Sequence, residues 1–110
     1  MEMIYKALKA DLAILKSNPP QLALTAFGLV STGGWKNGTL KPYIYVQPPN
    51  DGIQDFDFLA DRPTGPAPEA ISPISAHHVM SPMPSWLKGV RIRSRSNTVE
   101  AMLTGAPSIG

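Results

Sequence analysis

The chain contains no cysteine, and that single absence removes several chemistries at once. Disulfides, thiolate-held zinc and a thiol nucleophile are all excluded. Long apolar runs are missing too. Nowhere do roughly 18 apolar residues follow one another, so no segment suits an ordinary membrane-spanning helix. Charge is scarce, at 16% of residues, and nearly balanced, with a formal net charge of +2. A value that small gives no electrostatic reason to expect nucleic acid or a membrane surface as partner. The opening "MEMIYKALKADLAILK" has neither a continuous apolar stretch nor a small-residue cleavage site. It does not read as a signal peptide, and cytoplasmic residence is the default expectation.

What remains is a chain of 110 residues, the size of one domain over residues 1–110. Apolar residues reach 43%, enough for a folded core rather than disorder. Twelve prolines and nine glycines are too many for a helical bundle, because each proline removes a backbone donor and fixes φ. They suit short elements joined by many turns.

Residues 1–17 fit two patterns. At helical spacing Ile4, Leu8, Leu12 and Leu15 share a stripe, and the Ala, Leu and Lys content favours a helix locally. At period two, Ile4, Leu8, Ala10, Leu12 and Ile14 share a face spoiled by Lys6, which would make this the first strand. The helix is favoured on local grounds, and Asn18-Pro19-Pro20 ends the element in either case. From Gln21 the pattern is β. "QLALTAFGLV" is apolar on both faces, as a central strand is. "LKPYIYVQ", "IQDFDFLAD", "SWLKGVRIRSRS" and "NTVEAMLT" read as further strands, the last two joined as a hairpin across Ser96-Asn97. Residues 62–84 form a proline-rich connection in which "AISPISAHHVM" could supply an edge strand, since Pro73 cannot donate to a ladder. Residues 105–110 read as a tail. The fold class expected is all-β: a small antiparallel, immunoglobulin-like β-sandwich of six to seven strands, with a small β-barrel as the alternative.

The densest chemistry lies in "DGIQDFDFLAD". On a strand Asp55 and Asp57 leave one face while Phe56 and Phe58 leave the other, which reads as phenylalanine in and aspartate out. The alternative is a metal site in which Asp55 or Asp57 joins His77 or His78. A hard cation needs several oxygens converging at about 2.3 to 2.6 Å, and two strand carboxylates do not supply them. "KGVRIRSRS" places Arg91, Arg93 and Arg95 on one strand face. If that strand neighbours the acidic one, opposite charges pair across it. Otherwise the stripe is an anion or nucleic-acid site, though it is short and lacks aromatic interleaving for bases. His77 and His78 point to opposite faces of any extended segment and do not naturally chelate one ion. Trp35 and Trp86 are either binding aromatics or plugs at the open ends of the sandwich.

The runs "GWKNGTLKPYIYVQPPNDGIQDFDFLADRPTGP" and "WLKGVRIRSRSNTVEAML" resemble small uncharacterised bacterial proteins built as compact β domains. The likeness covers about four-fifths of the chain. It implies a bacterial origin and a β fold, and it carries no functional residue. No cofactor is expected. The leading expectation is a non-enzymatic binding or protein-interaction module for an unknown protein or small ligand. Its contact surface would be the Trp35 loop end with residues 62–84, and Trp86, Arg91, Arg93 and Arg95 are further candidates. Self-association through strand edges is also expected. The alternative is a small metal-assisted hydrolase using Asp and His.

Overall fold

The computed structural model describes residues 1–109. Its elements in chain order are β1 (Glu2–Met3), β2 (Lys6–Leu15), β3 (Gln21–Val30), β4 (Lys36–Pro42), β5 (Ile53–Asp61), β6 (Ser72–Met80), β7 (Gly89–Arg93), β8 (Thr98–Met102) and β9 (Ser108–Ile109). Among the described residues no helix forms, so none is long and apolar enough to cross a membrane.

The helix favoured for residues 1–17 is therefore replaced by strand. β2 pairs antiparallel with β3 from Lys6↔Leu29 to Leu15↔Gln21. That ladder outweighs a few tenths of a kcal/mol per residue of local helix preference. The period-two pattern spoiled by Lys6 is repaired by a register shift between Ala7 and Lys9. Leu8 is bulged outward, and Ala7 takes the buried place. Just before β2 the chain changes sheet. Ile4 donates its N–H to Phe58, accepts from Arg95 N–H, and is fully buried between the layers.

Two sheets result. In the first, β5 is central, with β4 along one edge and β7 then β1 along the other, and β8 lies outside β7. The second has the order β6-β3-β2-β9, so β6 holds the edge position its proline required. The molecule is a compact all-β fold of two facing sheets, consistent with a β-sandwich. Its sheets are mixed rather than antiparallel throughout. β5 and β7 run parallel, because the chain crosses to the other sheet as β6 before it returns. β9 runs parallel to β2, so Ser108 and Ile109 belong to the sheet instead of to a free tail.

The interior is the alternation made solid. On β3 residues Leu22, Leu24, Ala26 and Val30 are buried, on β5 Phe56, Phe58 and Ala60, and on β7 Val90 and Ile92. Burying two phenylalanines this fully contributes several kcal/mol by area alone. One expected strand is displaced. "LKPYIYVQ" does not run on as a ladder: β4 begins earlier, and ladder pairing stops at Pro42↔Phe56. The Asn37-Gly38 pair is an irregularity inside β4, with Asn37 at φ 60°. Gly38 lies so close to the Ser75 carbonyl that a Cβ has no room. This contact brings the edge strands β4 and β6 together.

Candidate functional site

The outer face of the first sheet carries a closed ionic network. In the parallel register Asp55 stands beside Arg91 and Asp57 beside Arg93, and on the far side Arg91 stands opposite Glu100. The guanidinium of Arg91 uses all three nitrogens: Nη1 on Asp55 Oδ1 at 3.0 Å, Nη2 on Asp51 Oδ2 at 3.1 Å and Nε on Glu100 Oε2 at 3.1 Å. Arg93 adds Nε and Nη2 to the same Asp55 oxygen, each at 3.1 Å. The other oxygen of Asp55 accepts from Tyr45 Oη at 2.8 Å, so the carboxylate is committed on both sides. The hydrogen bonds it donates to Asp51, then to Asp55, hold the Arg91 guanidinium above its ordinary value. The Ile53 N–H, then Arg91, hold the Asp51 carboxyl below the usual carboxylate range. Asp57 accepts from Tyr43 Oη at 3.0 Å, which is the main reason that phenol is raised.

Two side chains finish the edge of β5 where β4 has ended. Tyr43 N–H still donates to the Asp55 carbonyl, but the returning Asp55 N–H goes to Tyr45 Oη at 3.0 Å. Ile53 N–H is taken by Asp51 Oδ1 at 3.0 Å. Backbone donors that a missing strand would leave open are thus satisfied by a phenol and a carboxylate. Burial raises the Tyr45 phenol above its ordinary value, and the Asp55 N–H, which favours the phenolate, opposes that shift only in part.

The three arginines do not form one stripe. β7 ends at Arg93, and Arg95 lies exposed in the following turn. The acids and histidines are not brought together either. Asp55 and Asp57 face outward from the first sheet, whereas His77 sits on β6 of the second, bonded through Nδ1 to Thr25 Oγ1 at 2.9 Å. His78 points inward, with its ring edge-on to Phe56 at 5.2 Å between centroids. Burial holds this imidazole below its ordinary value. Among the described residues no cluster of three or more His, Asp or Glu could hold a metal.

The tryptophans lie at opposite ends of the sandwich. Trp35 precedes β4, whose Lys36 pairs with Asp61 at the end of β5; the Trp86 carbonyl lies against Gly52, just before β5 begins. The nine residues of β5, about 27 Å from first to last, separate those ends. Both rings pack partly against the core. Trp35 is fixed by its Nε1–H bond to Thr32 Oγ1 at 3.1 Å, with the Arg62 guanidinium 5.8 Å from its ring centroid. Trp86 meets Tyr45 edge-on at 6.3 Å. The proline-rich connection is also divided, since β6 runs between its two halves. The half before β6 does join the Trp35 loop: Trp35, Arg62, Pro63, Ala67 and Glu69 line one open hollow of about 310 Å³, whereas residues 81–84 follow β6.

One surface was missed at the sequence level. After Pro42 the chain leaves the sheet with Ile44 at 96% and Val46 at 103% exposure, while the tyrosines between and before them are bonded back to β5. The signal was present in "YIYV", where two hydroxyl-bearing rings alternate with two aliphatic side chains. Read as a ladder strand, the pattern hid which set faced water.

No protein-family model matches the chain, and no curated protein or solved structure matches it significantly. The resemblance to small bacterial β domains gains no support from these comparisons.

Proposed function

We propose that this protein is a non-enzymatic interaction module whose contact surface is the segment carrying Ile44 and Val46. One observation carries the reading: two aliphatic side chains stand almost fully in water on a stretch pinned by Tyr43 and Tyr45. Isolated apolar residues on a surface are ordinary, but a rigidly presented adjacent pair is what a partner can use. Preorganisation of this kind lowers the entropic cost of association. The immunoglobulin-like layout expected from the sequence belongs to the same proposal. It is supported by the facing sheets and by a first strand that changes sheet at Ile4, and the two parallel pairings depart from it.

The test is a photo-crosslinking side chain placed at position 46, with the same group at Glu100 as control. The module reading expects discrete adducts from position 46 and none from position 100. It also expects the position-46 adducts to diminish when Tyr45→Phe loosens the anchor. Equal labelling at both positions would show an indifferent surface.

A further inference from the structure

Two demands of the fold meet at Asn37 and Gly38. Lys36 pairs with Asp61 and Thr39 with Leu59, so both residues stand against the single residue Ala60, as in a β-bulge. The first place needs a left-handed backbone. Asn37 takes it at φ 60°, the one non-glycine with positive φ among the described residues. Asparagine is among the few side chains that tolerate that region. The second place needs a residue without a Cβ, because the Ser75 carbonyl fills that space. The bulge therefore selects asparagine followed by glycine, the pair in which a backbone nitrogen reaches a side-chain amide with least hindrance.

The other asparagines lack that combination. Asn18 precedes Pro19, whose ring nitrogen carries no hydrogen to lose. Asn50 is exposed, but the next residue, Asp51, bears a side chain fixed by the Ile53 N–H and by Arg91. Asn97 is followed by β-branched Thr98, and both ends of its amide are bonded to Ala7. Asn37 is exposed, and its Nδ2 donates to Asp61 Oδ2 at 2.8 Å. That bond holds the side chain across toward β5 and must open before its carbon can meet the Gly38 nitrogen. Lying in water, it opens at small cost.

We propose that Asn37 is a site of spontaneous deamidation, independent of any contact surface at Ile44 and Val46. The Gly38 nitrogen gives up its proton to solvent and bonds to Asn37 Cγ, and the Cγ–Nδ2 bond breaks as ammonia leaves. Water then opens the resulting cyclic imide. Opening at one carbonyl leaves aspartate at position 37. Opening at the other leaves isoaspartate, with the main chain running through the former side chain. Either product puts a carboxylate where a donor faced Asp61, so a hydrogen bond becomes a like-charge contact. Isoaspartate also lengthens the backbone just before Gly38, which is packed on Ser75. Both changes loosen the start of β4.

The folded chain is incubated at mildly alkaline pH, and its peptides are then read by mass and by labelling with a protein-isoaspartate methyltransferase. The expected result is conversion of residue 37 well ahead of residues 50 and 97, with a more acidic isoform on ion exchange. Aged chain is expected to melt lower than fresh chain. Asn37→Gly keeps the left-handed backbone without the amide. It is expected to form no acidic isoform and to melt unchanged after ageing. Asp61→Ala, confirmed as folded by circular dichroism, is expected to convert several-fold faster. A residue 37 that keeps its amide while the urea-unfolded chain converts overturns the proposal. Conversion of residue 50 or 97 at the same pace also overturns it, and an unchanged rate in Asp61→Ala removes the restraint assigned to Asp61.

Discussion

Asn97 grips Ala7 with both ends of its side-chain amide. Oδ1 accepts the Ala7 N–H and Nδ2 donates to the Ala7 carbonyl, each at 2.8 Å, across 90 positions of sequence. The amide stands in for one residue of a neighbouring strand. It ties the β7–β8 turn to the edge of β2, and Ser94 Oγ steadies it by donating to the same Oδ1 at 2.6 Å.

Replacing Asn97 with alanine strips two partners from the backbone of a residue that is only 1% exposed. The expected cost is about 2 to 4 kcal/mol, since each buried unsatisfied group costs about 1 to 3. Urea unfolding measures it as a fall in midpoint at unchanged slope. Asn97→Asp should also destabilise, because it places an acceptor against the Ala7 carbonyl.

Asp55 and Asp57 should separate sharply under the same treatment. Asp55→Ala leaves two guanidinium groups without their shared acceptor at a site where the carboxylate side chain is 11% exposed. A loss of about 2 to 4 kcal/mol is expected. Asp57→Ala gives up an exposed tyrosine contact and should cost less than about 1 kcal/mol. Comparable losses for the two would contradict the network as described.

His78 sets a pH dependence near neutrality. Its folded value is depressed by burial, so the unfolded chain takes up the proton first as pH falls below about 6.5. Stability from this group is complete above that point. It declines as pH falls toward the folded value, below which it changes no further. His78→Leu should flatten denaturation midpoints between pH 7 and pH 5. Asp51, also depressed, acts in a separate window: its contribution is present above about 3.8 and is lost as pH falls through its folded value.

Two glycines give a backbone contrast. A methyl group at Gly38 meets the Ser75 carbonyl and forces β4 away from β6, whereas at Gly65 nothing lies within 4 Å. Gly38→Ala should lower stability by about 1 to 3 kcal/mol. Gly65→Ala should leave it unchanged or raise it by about 0.5 kcal/mol through a less free unfolded chain. Thermal melts of the two variants decide it.

β3, apolar on both faces, left its inward face to the structure. The sequence by itself determined the sidedness of β5 and β7, because side-chain alternation is a property of extended backbone and needs no knowledge of neighbours. It therefore placed Phe56 and Phe58 inside and set Asp55 and Asp57 against Arg91 and Arg93, provided the two strands met. It also put Pro73 on an edge, since a residue without an N–H has nowhere else to sit in a sheet. Only the tertiary structure decided that they do meet, and in parallel. It also made residues 6–15 a strand, bulged Leu8 into water, tied Asn97 to Ala7 and left Ile44 and Val46 outside. Each of these depends on which distant segment supplies the next hydrogen bond, and local pattern carries no record of that partner.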